Sequence, residues 1–402
     1  MSIYEHFGVK PIINAAGPAT RYGGALMEKS ALEAMDEAAK FPVRLDELQA
    51  AASKVIAKVT HAEAGIVTCG AAAALTLGTA ACMAGLDVAK MNQLPDTSGM
   101  RNEVIIPWNQ VSGYVHCIRA AGARIVGVGI PNFVVPPHEV HIISKQNIES
   151  GITANTAAIT YRPQPRSHPA LEEVIEIGKK HNIPVMLDAA GLLPPRENLH
   201  KFINMGADLV CFSGGKGLRG PQASGILCGR RDLIASAALQ TLDMAGEPFE
   251  EWHPPASLIP KDKLSDKPAQ GVGRGMKAAK EAIIGLLVAL ENFTEEKLAG
   301  DVEYRQQLLR KMQAKLENIA GLKITLLGKA SPYPLLEIKV DKKITGKSAL
   351  EIAQKLLQSD PSIYVRNDYR YLHNDLIALD STDMNEEIVS TVSQRLYDII
   401  TG

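Results

Sequence analysis

The sequence predicts an α/β protein in which a mostly parallel sheet forms a large domain and a smaller α/β domain follows. Three observations predict this fold. The chain has 402 residues, more than one hydrophobic core usually organises, so two domains are expected. Its central part alternates β-rich and helical stretches, a pattern typical of parallel sheets covered on both faces. Apolar residues make up 46% and charged residues 22% of the chain, as in ordinary globular proteins.

The strands of the large domain are predicted where short runs of apolar and β-branched residues lie between turn residues. Helical stretches separate several of these runs. In the helix predicted at 171–181, Leu171, Val174 and Ile175 share one face and basic residues end the segment. The predicted strands are residues 65–68, 103–106, 124–128, 157–161, 184–188, 209–212 and 225–228.

Residues 247–275 hold five prolines and little periodicity, which predicts a long loop or domain connection. After it we predict helices at 276–298, 301–319, 348–357 and 385–400, and strands at 323–327, 335–340 and 362–366. The chain is therefore divided into an N-terminal segment, a large domain and a small domain, at residues 1–44, 45–270 and 271–402. We expect the N-terminal segment to carry a helix at 29–39 and to pack on the small domain.

The charges of the chain are nearly balanced, with 43 Lys and Arg against 44 Asp and Glu and a formal net charge of −1. This balance argues against nucleic acid or an anionic membrane as a partner. The first residues lack the basic and apolar regions of an export signal, and no apolar run approaches a transmembrane span. Five widely spaced cysteines without a C-x-x-C pair indicate free thiols in a reducing cytoplasm and no metal site.

Lys216 lies in a glycine-rich turn directly after the strand predicted at 209–212. The turn reads Ser-Gly-Gly-Lys-Gly-Leu-Arg-Gly-Pro over residues 213–221. Glycines on both sides let the backbone turn sharply and approach a phosphate closely. Considered by itself, Lys216 could instead be a solvated lysine in a surface turn, which is the alternative interpretation.

Asp188 ends another apolar strand, at 184–188, and needs a cationic partner if it is buried there. A lysine and a carboxylate at the carboxyl ends of two such strands are what pyridoxal phosphate requires. The lysine amine forms a Schiff base with the aldehyde, and the carboxylate keeps the pyridine nitrogen protonated. The alternatives for Asp188 are a helix cap or a pair with Arg196.

Small residues follow the strand predicted at 65–68, where Cys69, Gly70 and Ala71 open a helix. The free N–H groups and the dipole of a helix start favour an anion. We assign this position to the cofactor phosphate, with Ser213 as a second donor. Close helix packing is the alternative explanation of the small residues.

Three arginines are candidates for binding an anion. Arg274 lies in a glycine-rich helix start and is predicted to contact the phosphate or a substrate anion across a subunit boundary. Arg366 ends the strand predicted at 362–366, and its guanidinium suits a substrate carboxylate. Arg219, within the lysine turn, is a second candidate for the substrate. Exposed basic side chains are the alternative interpretation of Arg274 and Arg366.

A flat side chain is expected against one face of the cofactor ring. Trp108 and Gln110 follow the strand predicted at 103–106 and are the candidates, ahead of His116. Gln110 is assigned to cofactor binding. Ordinary core or surface positions remain the alternative for each.

Together and in order, these residues resemble fold-type I pyridoxal phosphate enzymes. More narrowly, the chain is similar to the group of selenocysteine synthase (seryl-tRNA selenium transferase) and D-glucosaminate-6-phosphate ammonia-lyase. The matching stretches are residues 4–17, 68–75, 187–190, 212–221 and 272–281.

The resemblance implies an aspartate aminotransferase-like fold and a homodimer or larger homo-oligomer with shared active sites. It implies Lys216 as the Schiff-base lysine, Asp188 as the pyridine partner, and Ser213 with the turn at 70–72 as phosphate contacts. Two positions depart from the group: Cys69 stands where many relatives have serine, and Trp-Asn-Gln at 108–110 replaces an Arg-x-His pattern. The motif-bearing region begins near Met1 without an added tRNA-binding region, so we expect a small-molecule substrate.

The expected activity is that of a pyridoxal-phosphate-dependent lyase acting on a small amino acid or amino sugar acid. Lys216 is expected to remove the Cα proton, and a β leaving group then departs before ammonia is released. Racemisation or epimerisation is the alternative, with Tyr114, His116 or Cys69 as the second acid. A selenium-transferase-like enzyme or a non-catalytic cofactor-binding protein is a further alternative.

Overall fold

The computed structural model describes residues 2–130, 143–164, 167–328, 333–366 and 371–402. The chain divides into two compact units. One combines Met1–Leu26 with Asn292–Gly402, and the other is Met27–Glu291. Among the described helices, none has both the length and the apolar character that a membrane span requires.

The described strands are numbered along the chain. They are β1 Ile13–Ala15, β2 Ala64–Thr68, β3 Glu103–Pro107, β4 Arg124–Val128, β5 Thr156–Tyr161, β6 Val185–Asp188, β7 Leu209–Ser213, β8 Gly225–Gly229, β9 Leu322–Leu327, β10 Leu335–Val340, β11 Ile363–Val365 and β12 Leu376–Asp380. Each strand predicted for the large domain is present, with its ends within one residue of the prediction.

The described α-helices are numbered in the same way. They are α1 Ile3–His6, α2 Lys29–Ala39, α3 Leu45–Thr60, α4 Ala71–Ala84, α5 Val88–Gln93, α6 Val115–Ala120, α7 Lys145–Ser150, α8 Leu171–His181, α9 Asn198–Met205, α10 Arg231–Thr241, α11 Lys280–Asn292, α12 Glu295–Leu316, α13 Lys342–Thr345, α14 Ala349–Leu357 and α15 Glu386–Thr401. Between α10 and α11 the chain forms only two short 3-10 helices, Lys261–Lys263 and Arg274–Met276.

The unit Met27–Glu291 is built on a seven-stranded sheet in the order β2-β8-β7-β6-β5-β3-β4. Every neighbouring pair is parallel except the two pairs that β8 makes. All residues of β2, β3 and β5 are buried, as expected for strands covered on both faces. The predicted α/β fold with a mostly parallel sheet is confirmed.

The other unit holds two small sheets. Strands β9, β10 and β12 form an antiparallel sheet in the order β12-β10-β9, and β1 pairs in parallel with β11. The pairing of β1 with β11 ties the first residues of the chain to its last third. Neither β1 nor β12 was among the predicted strands.

Two predicted helices have wrong boundaries. The predicted break between them lies at residues 299–300, whereas the structure has the break between α11 and α12, at Phe293 and Thr294. The cause is local: the Thr294 side chain accepts a hydrogen bond from the Lys297 backbone at 3.2 Å and starts α12 as its N-cap. Strand 362–366 is also shorter than predicted, since Arg366 forms only an isolated bridge with Ala378.

The compact units meet at 26/27 and 291/292, whereas the predicted divisions lie at 44/45 and 270/271. Helix α2 belongs with the sheet unit because it packs on α11. The Lys280 amine donates to the Ala38 carbonyl at 2.6 Å, and a Cβ on Gly285 would lie 2.7 Å from the Met35 side chain. Segment 1–44 is therefore divided between the two compact units.

Candidate active site

The carboxyl edge of the seven-stranded sheet holds several of the predicted site residues. Thr68 and Ser213 end β2 and β7, and both pair with Gly225 at the start of β8. Asp188 ends β6 and pairs with Cys211 of β7. Ligands bind at this edge in open α/β sheets.

Lys216 lies in a turn that only glycines allow. A Cβ on Gly214 would lie 2.1 Å from Ser224 Oγ, one on Gly215 would lie 2.4 Å from the Gln222 Cα, and one on Gly217 would lie 2.1 Å from the Leu193 carbonyl oxygen. The turn is therefore pressed against the surrounding backbone, which fixes the position from which the lysine extends.

The Lys216 amine faces the segment that follows Asp188. Its Nζ lies 3.9 Å from the position that a Cβ on Gly191 would occupy. Asp188 is half-buried, and its Oδ1 accepts a hydrogen bond from the Ala190 backbone at 3.1 Å, which orients the carboxylate at the end of β6. The structure thus places the lysine amine near the chain that carries the carboxylate.

A small cavity opens beside Asp188, between the sheet, α4 and α6. Gln110, Thr160 and Arg162 are among its polar lining residues. The Gln110 side-chain oxygen accepts a hydrogen bond from the Arg162 backbone at 2.7 Å, which fixes the glutamine against the end of β5. Trp108, the other candidate for the ring face, instead packs on β4, where a Cβ on Gly127 would lie 2.3 Å from its ring.

The start of α4 forms a narrow cradle at the end of β2. Gly70 adopts a left-handed φ of 109° and Thr68 Oγ1 donates to its carbonyl at 2.9 Å. A Cβ on Gly225 would lie 2.6 Å from the Gly70 carbonyl carbon and 2.7 Å from the Ala71 nitrogen. Cys69 is half-buried beside this turn, and burial raises the pKa of its thiol. A neutral thiol is compatible with an anion bound at this helix start.

The structure gives each of the three predicted anion-binding arginines a carboxylate partner. Arg219 pairs with Glu28 at 2.8 Å, and Arg274 pairs with Asp243 at 3.0 Å. Arg366 lies in the unit that contains the small sheets, where its guanidinium is 3.6 Å from Asp380. Their predicted contacts with phosphate or substrate stay predictions.

Arg366 also lines an open cavity of about 320 Å³ in its own unit, with Arg21 and Asp380. Gly17 shapes the wall, since its φ of 93° and the 2.7 Å between an added Cβ and Asp380 Oδ2 exclude a side chain there. An arginine on an open cavity is compatible with binding a carboxylate.

The profile of the class-V aminotransferases matches residues 127–348, more than half of the chain. The chain belongs to the class-V aminotransferase family. The profile of the DegT/DnrJ/EryC1/StrS aminotransferases also matches, over residues 34–218.

Several curated proteins are similar in sequence to this chain over most of its length. It is 30% identical to a 5'-C-glycyluridine monooxygenase-decarboxylase of a Streptomyces species, over 99% of this chain and 92% of that protein. It is 26% identical to the D-glucosaminate-6-phosphate ammonia lyase of Salmonella typhimurium, over 99% and 98%. An L-seryl-tRNA(Sec) selenium transferase of Geotalea daltonii is 24% identical over 86% and 71%.

A solved structure of D-glucosaminate-6-phosphate ammonia-lyase superposes on this chain with a TM-score of 0.79. The two sequences are 26% identical, and the match covers 100% of this chain and 98% of the ammonia-lyase. These relationships confirm the resemblance to the selenium transferase and ammonia-lyase group and the fold-type I architecture. The chain is a pyridoxal-phosphate-dependent enzyme.

The described residues fit this cofactor. The cradle at Gly70 and Ala71 presents free backbone N–H groups for a phosphate. Asp188 offers a carboxylate for the pyridine nitrogen, and the Lys216 amine faces the same region. The cavity beside Asp188 also has buried polar atoms without a hydrogen-bond partner, Thr160 Oγ1 and Arg162 Nε, as expected where a polar ligand belongs.

Sequence reasoning did not identify Thr160 and Arg162. The sequence feature that could have identified them is that Thr160 and Arg162 lie on either side of Tyr161 at the end of β5. This strand is the neighbour of β6, which ends at Asp188. Their importance depends on the burial and the missing partners of two atoms, which a single sequence does not reveal.

Proposed function

We propose that this enzyme is a lyase that eliminates a β leaving group from a small amino acid or amino sugar acid and then releases ammonia. The observation that carries the cofactor chemistry of this proposal is the approach of the Lys216 amine to the segment after Asp188, a residue that itself lines a cavity. The similarity to D-glucosaminate-6-phosphate ammonia lyase over nearly both full lengths supports this reaction class.

When bound, pyridoxal phosphate supplies an electron sink for negative charge at the substrate Cα. Lys216 would hold the cofactor through its amine and, with that amine free, would take the substrate Cα proton as the general base. Asp188 would keep the pyridine nitrogen protonated, because a nearby carboxylate favours the cationic form. Loss of a β hydroxyl as water and hydrolysis of the enamine then give a keto product and ammonia, so the water released balances the water consumed.

Other residues hold the reactants in place. Cys69, Gly70, Ala71 and Ser213 are proposed to bind the cofactor phosphate at the start of α4, and Gln110 is proposed to contact the ring. Arg274 is proposed to bind an anionic group of the cofactor or of the substrate. Arg366 and Arg219 are proposed to bind the substrate, with a carboxylate as the group that a guanidinium recognises.

An oxygen-consuming decarboxylation is the second candidate. The 30% identity to a 5'-C-glycyluridine monooxygenase-decarboxylase over 99% of the chain favours it. Both reactions build up negative charge at Cα and need Lys216 and Asp188. They differ in what is released and in whether molecular oxygen is consumed.

Product analysis with a substrate panel tests the proposal. The protein is loaded with pyridoxal phosphate and mixed with D- and L-amino acids and amino sugar acids while ammonia, carbon dioxide and oxygen are followed. Ammonia without oxygen uptake supports the lyase. Oxygen uptake with carbon dioxide assigns the second candidate, and exchange of the Cα proton with neither assigns racemisation.

Variants at the two central residues test the assignment itself. Asp188→Asn is expected to lose at least about 100-fold in kcat, because a neutral amide does not hold the ring nitrogen protonated. Borohydride reduction followed by peptide mapping is expected to place the cofactor on Lys216, and Lys216→Gln is expected to abolish the adduct. The exposed Lys263→Gln and Asp266→Asn are matched controls. An adduct elsewhere in the wild-type chain overturns the proposal.

We also propose that the enzyme is a homodimer or larger homo-oligomer and that it works in the cytoplasm. Five free cysteines support a reducing compartment. Light scattering coupled to size exclusion measures the first property, and a monomer that keeps full activity contradicts it. Fractionation of cells measures the second.

A further inference from the structure

The end of β5 holds a polar pair that has no function in the site described so far. Thr160 is 6% exposed, and its Oγ1 has no hydrogen-bond partner. Arg162, two residues later, has a buried Nε that also lacks one. Burial of such atoms costs about 1–3 kcal/mol each unless something satisfies them. Both residues line the cavity beside Asp188.

The position of the pair relative to Asp188 is set by strand pairing. Tyr161 pairs with Leu187 across β5 and β6, so Arg162 follows β5 where Asp188 ends β6. Thr160 and Arg162 alternate with Tyr161, whose ring is fully buried, and therefore point to the same side of the sheet. The pair is a neighbour of the carboxylate on the next strand.

The Arg162 backbone is fixed by a hydrogen bond to Gln110. Its N–H donates to Gln110 Oε1 at 2.7 Å. This bond uses the glutamine oxygen for the main chain of Arg162, while the Arg162 side chain lines the cavity with its Nε unpartnered. Gln110 is thus a positioning residue for Arg162 as well as a lining residue of the cavity.

We infer that Arg162, assisted by Thr160, binds the ionised ring oxygen of pyridoxal phosphate and sets the protonation of the lysine–cofactor linkage. In the cofactor this oxygen is attached to C3 of the pyridine ring, which is two positions from the ring nitrogen. With the nitrogen at Asp188, as in the function proposed above on which this inference rests, the oxygen would face the end of a neighbouring strand. An arginine and a hydroxyl are suitable donors for an anionic oxygen.

The inference has an electrostatic consequence. The linkage nitrogen carries a positive charge when it is protonated. A guanidinium close to it disfavours a second positive charge, and so lowers the pKa of the linkage. Arg162 would then keep more of the bound cofactor in the deprotonated form at neutral pH.

Absorbance titration of the loaded protein against pH tests the inference without measuring activity. Arg162→Gln is expected to raise the midpoint of the spectral transition by about one pH unit or more. Thr160→Val is expected to shift it in the same direction by less, because a neutral donor is lost. Arg162→Lys, which keeps the charge, is expected to stay near the wild-type midpoint. Arg119→Gln, on the exposed side of α6, is the control.

The outcomes separate this inference from the proposed function. If borohydride traps the cofactor on Lys216 in every variant but the midpoint of Arg162→Gln equals that of the wild type, the inference alone is overturned. An unchanged midpoint with a raised KM would make Arg162 a substrate-binding residue, which also overturns it. A wild-type protein without a Lys216 adduct overturns the proposed function instead. If Arg162→Gln fails to fold, the shift in Thr160→Val decides the question.

Discussion

Gly225 lies directly against Gly70, so that the first residue of β8 forms the floor of the turn that starts α4. A Cβ on Gly225 would lie 2.6 Å from the Gly70 carbonyl carbon. Backbone atoms cannot move aside as the end of a side chain can. The contact therefore links the pairing of β2 with β8 to the cradle proposed for the cofactor phosphate.

Gly225→Ala is expected to weaken binding of pyridoxal phosphate by about tenfold or more. The added methyl group pushes the Gly70 turn outward and displaces its N–H groups, and overpacking of this kind costs about 1–3 kcal/mol. Fluorescence or absorbance titration of the apoprotein with the cofactor measures the effect. Gly300→Ala, at a position with no atom within 4 Å of the added Cβ, is the matched control. Equal affinities of the two variants for pyridoxal phosphate would contradict the assignment of the phosphate to this cradle.

Cys69 is expected to react slowly with alkylating reagents at neutral pH. Burial raises the pKa of its thiol above the ordinary value of 9.0, so the reactive thiolate is scarce until the pH passes that value. Burial also raises the pKa of Cys117, which is similarly half-buried but lies on α6. Both rates should rise with pH, as mass spectrometry of the labelled peptides would detect.

The Cys69 thiol should become less reactive when the cofactor is bound. A phosphate on the start of α4 covers Cys69, so pyridoxal phosphate should protect this thiol from the reagent. A Cys69 labelling rate that is the same with and without the cofactor would contradict the assignment of Cys69 to the phosphate site.

The central features of the site were predictable because they depend on local sequence. Apolar runs ended by Asp188 and by the glycine-rich turn of Lys216 predict strands and their carboxyl ends, and parallel strands bring those ends to one edge. The lysine and the carboxylate at that edge indicated the cofactor, and the resemblance supported it. Helix α8 was predicted to the residue, since its apolar face and basic last turn agree.

Features that depend on distant contacts were not predictable. Strand β1 has three residues and exists through its pairing with β11, hundreds of residues later. The assignment of α2 to the sheet unit rests on its contacts with α11. The unpaired Thr160 Oγ1 becomes visible only when its surroundings are known. The boundary at Thr294 is different, because the N-cap followed by two glutamates was a local signal that the long apolar pattern outweighed.

The ion pair of Arg219 with Glu28 is expected to stabilise the lysine turn. The side chains are 19% and 22% exposed, and Arg219 adopts a left-handed φ of 54° that costs energy for a residue with a side chain. A double-mutant cycle of Arg219→Gln and Glu28→Gln should give a coupling of about 1 kcal/mol in the free energy of unfolding. The exposed pair of Lys29 and Glu33 should give about zero by the same measurement.

Kinetics of the same variants test the proposed contact of Arg219 with the substrate. If that contact exists, Arg219→Gln raises KM well beyond the change that Glu28→Gln causes. Equal KM values in the two variants would leave Arg219 with a structural role alone.

Asp243 is expected to anchor the segment that leads to Arg274, and to do so less well as the pH falls. Hydrogen bonds from Gln270, the Ala245 backbone and Arg274 lower the pKa of Asp243 from 3.8 to about 2. The folded protein therefore holds the carboxylate more strongly than the unfolded chain does. The stabilisation is fully present above about pH 4 and is lost as the pH falls toward 2.

Asp243→Asn removes this charge at every pH. The difference in Tm between the wild type and this variant should be constant above pH 5 and should shrink between pH 4 and the lowest pH at which both still fold. Asp266→Asn, an exposed aspartate in the same connection, is the control and should give a much smaller difference. A difference that stays constant through pH 3 would mean that Asp243 does not hold Arg274 through its charge, and would leave the arginine free to bind the phosphate or a substrate anion.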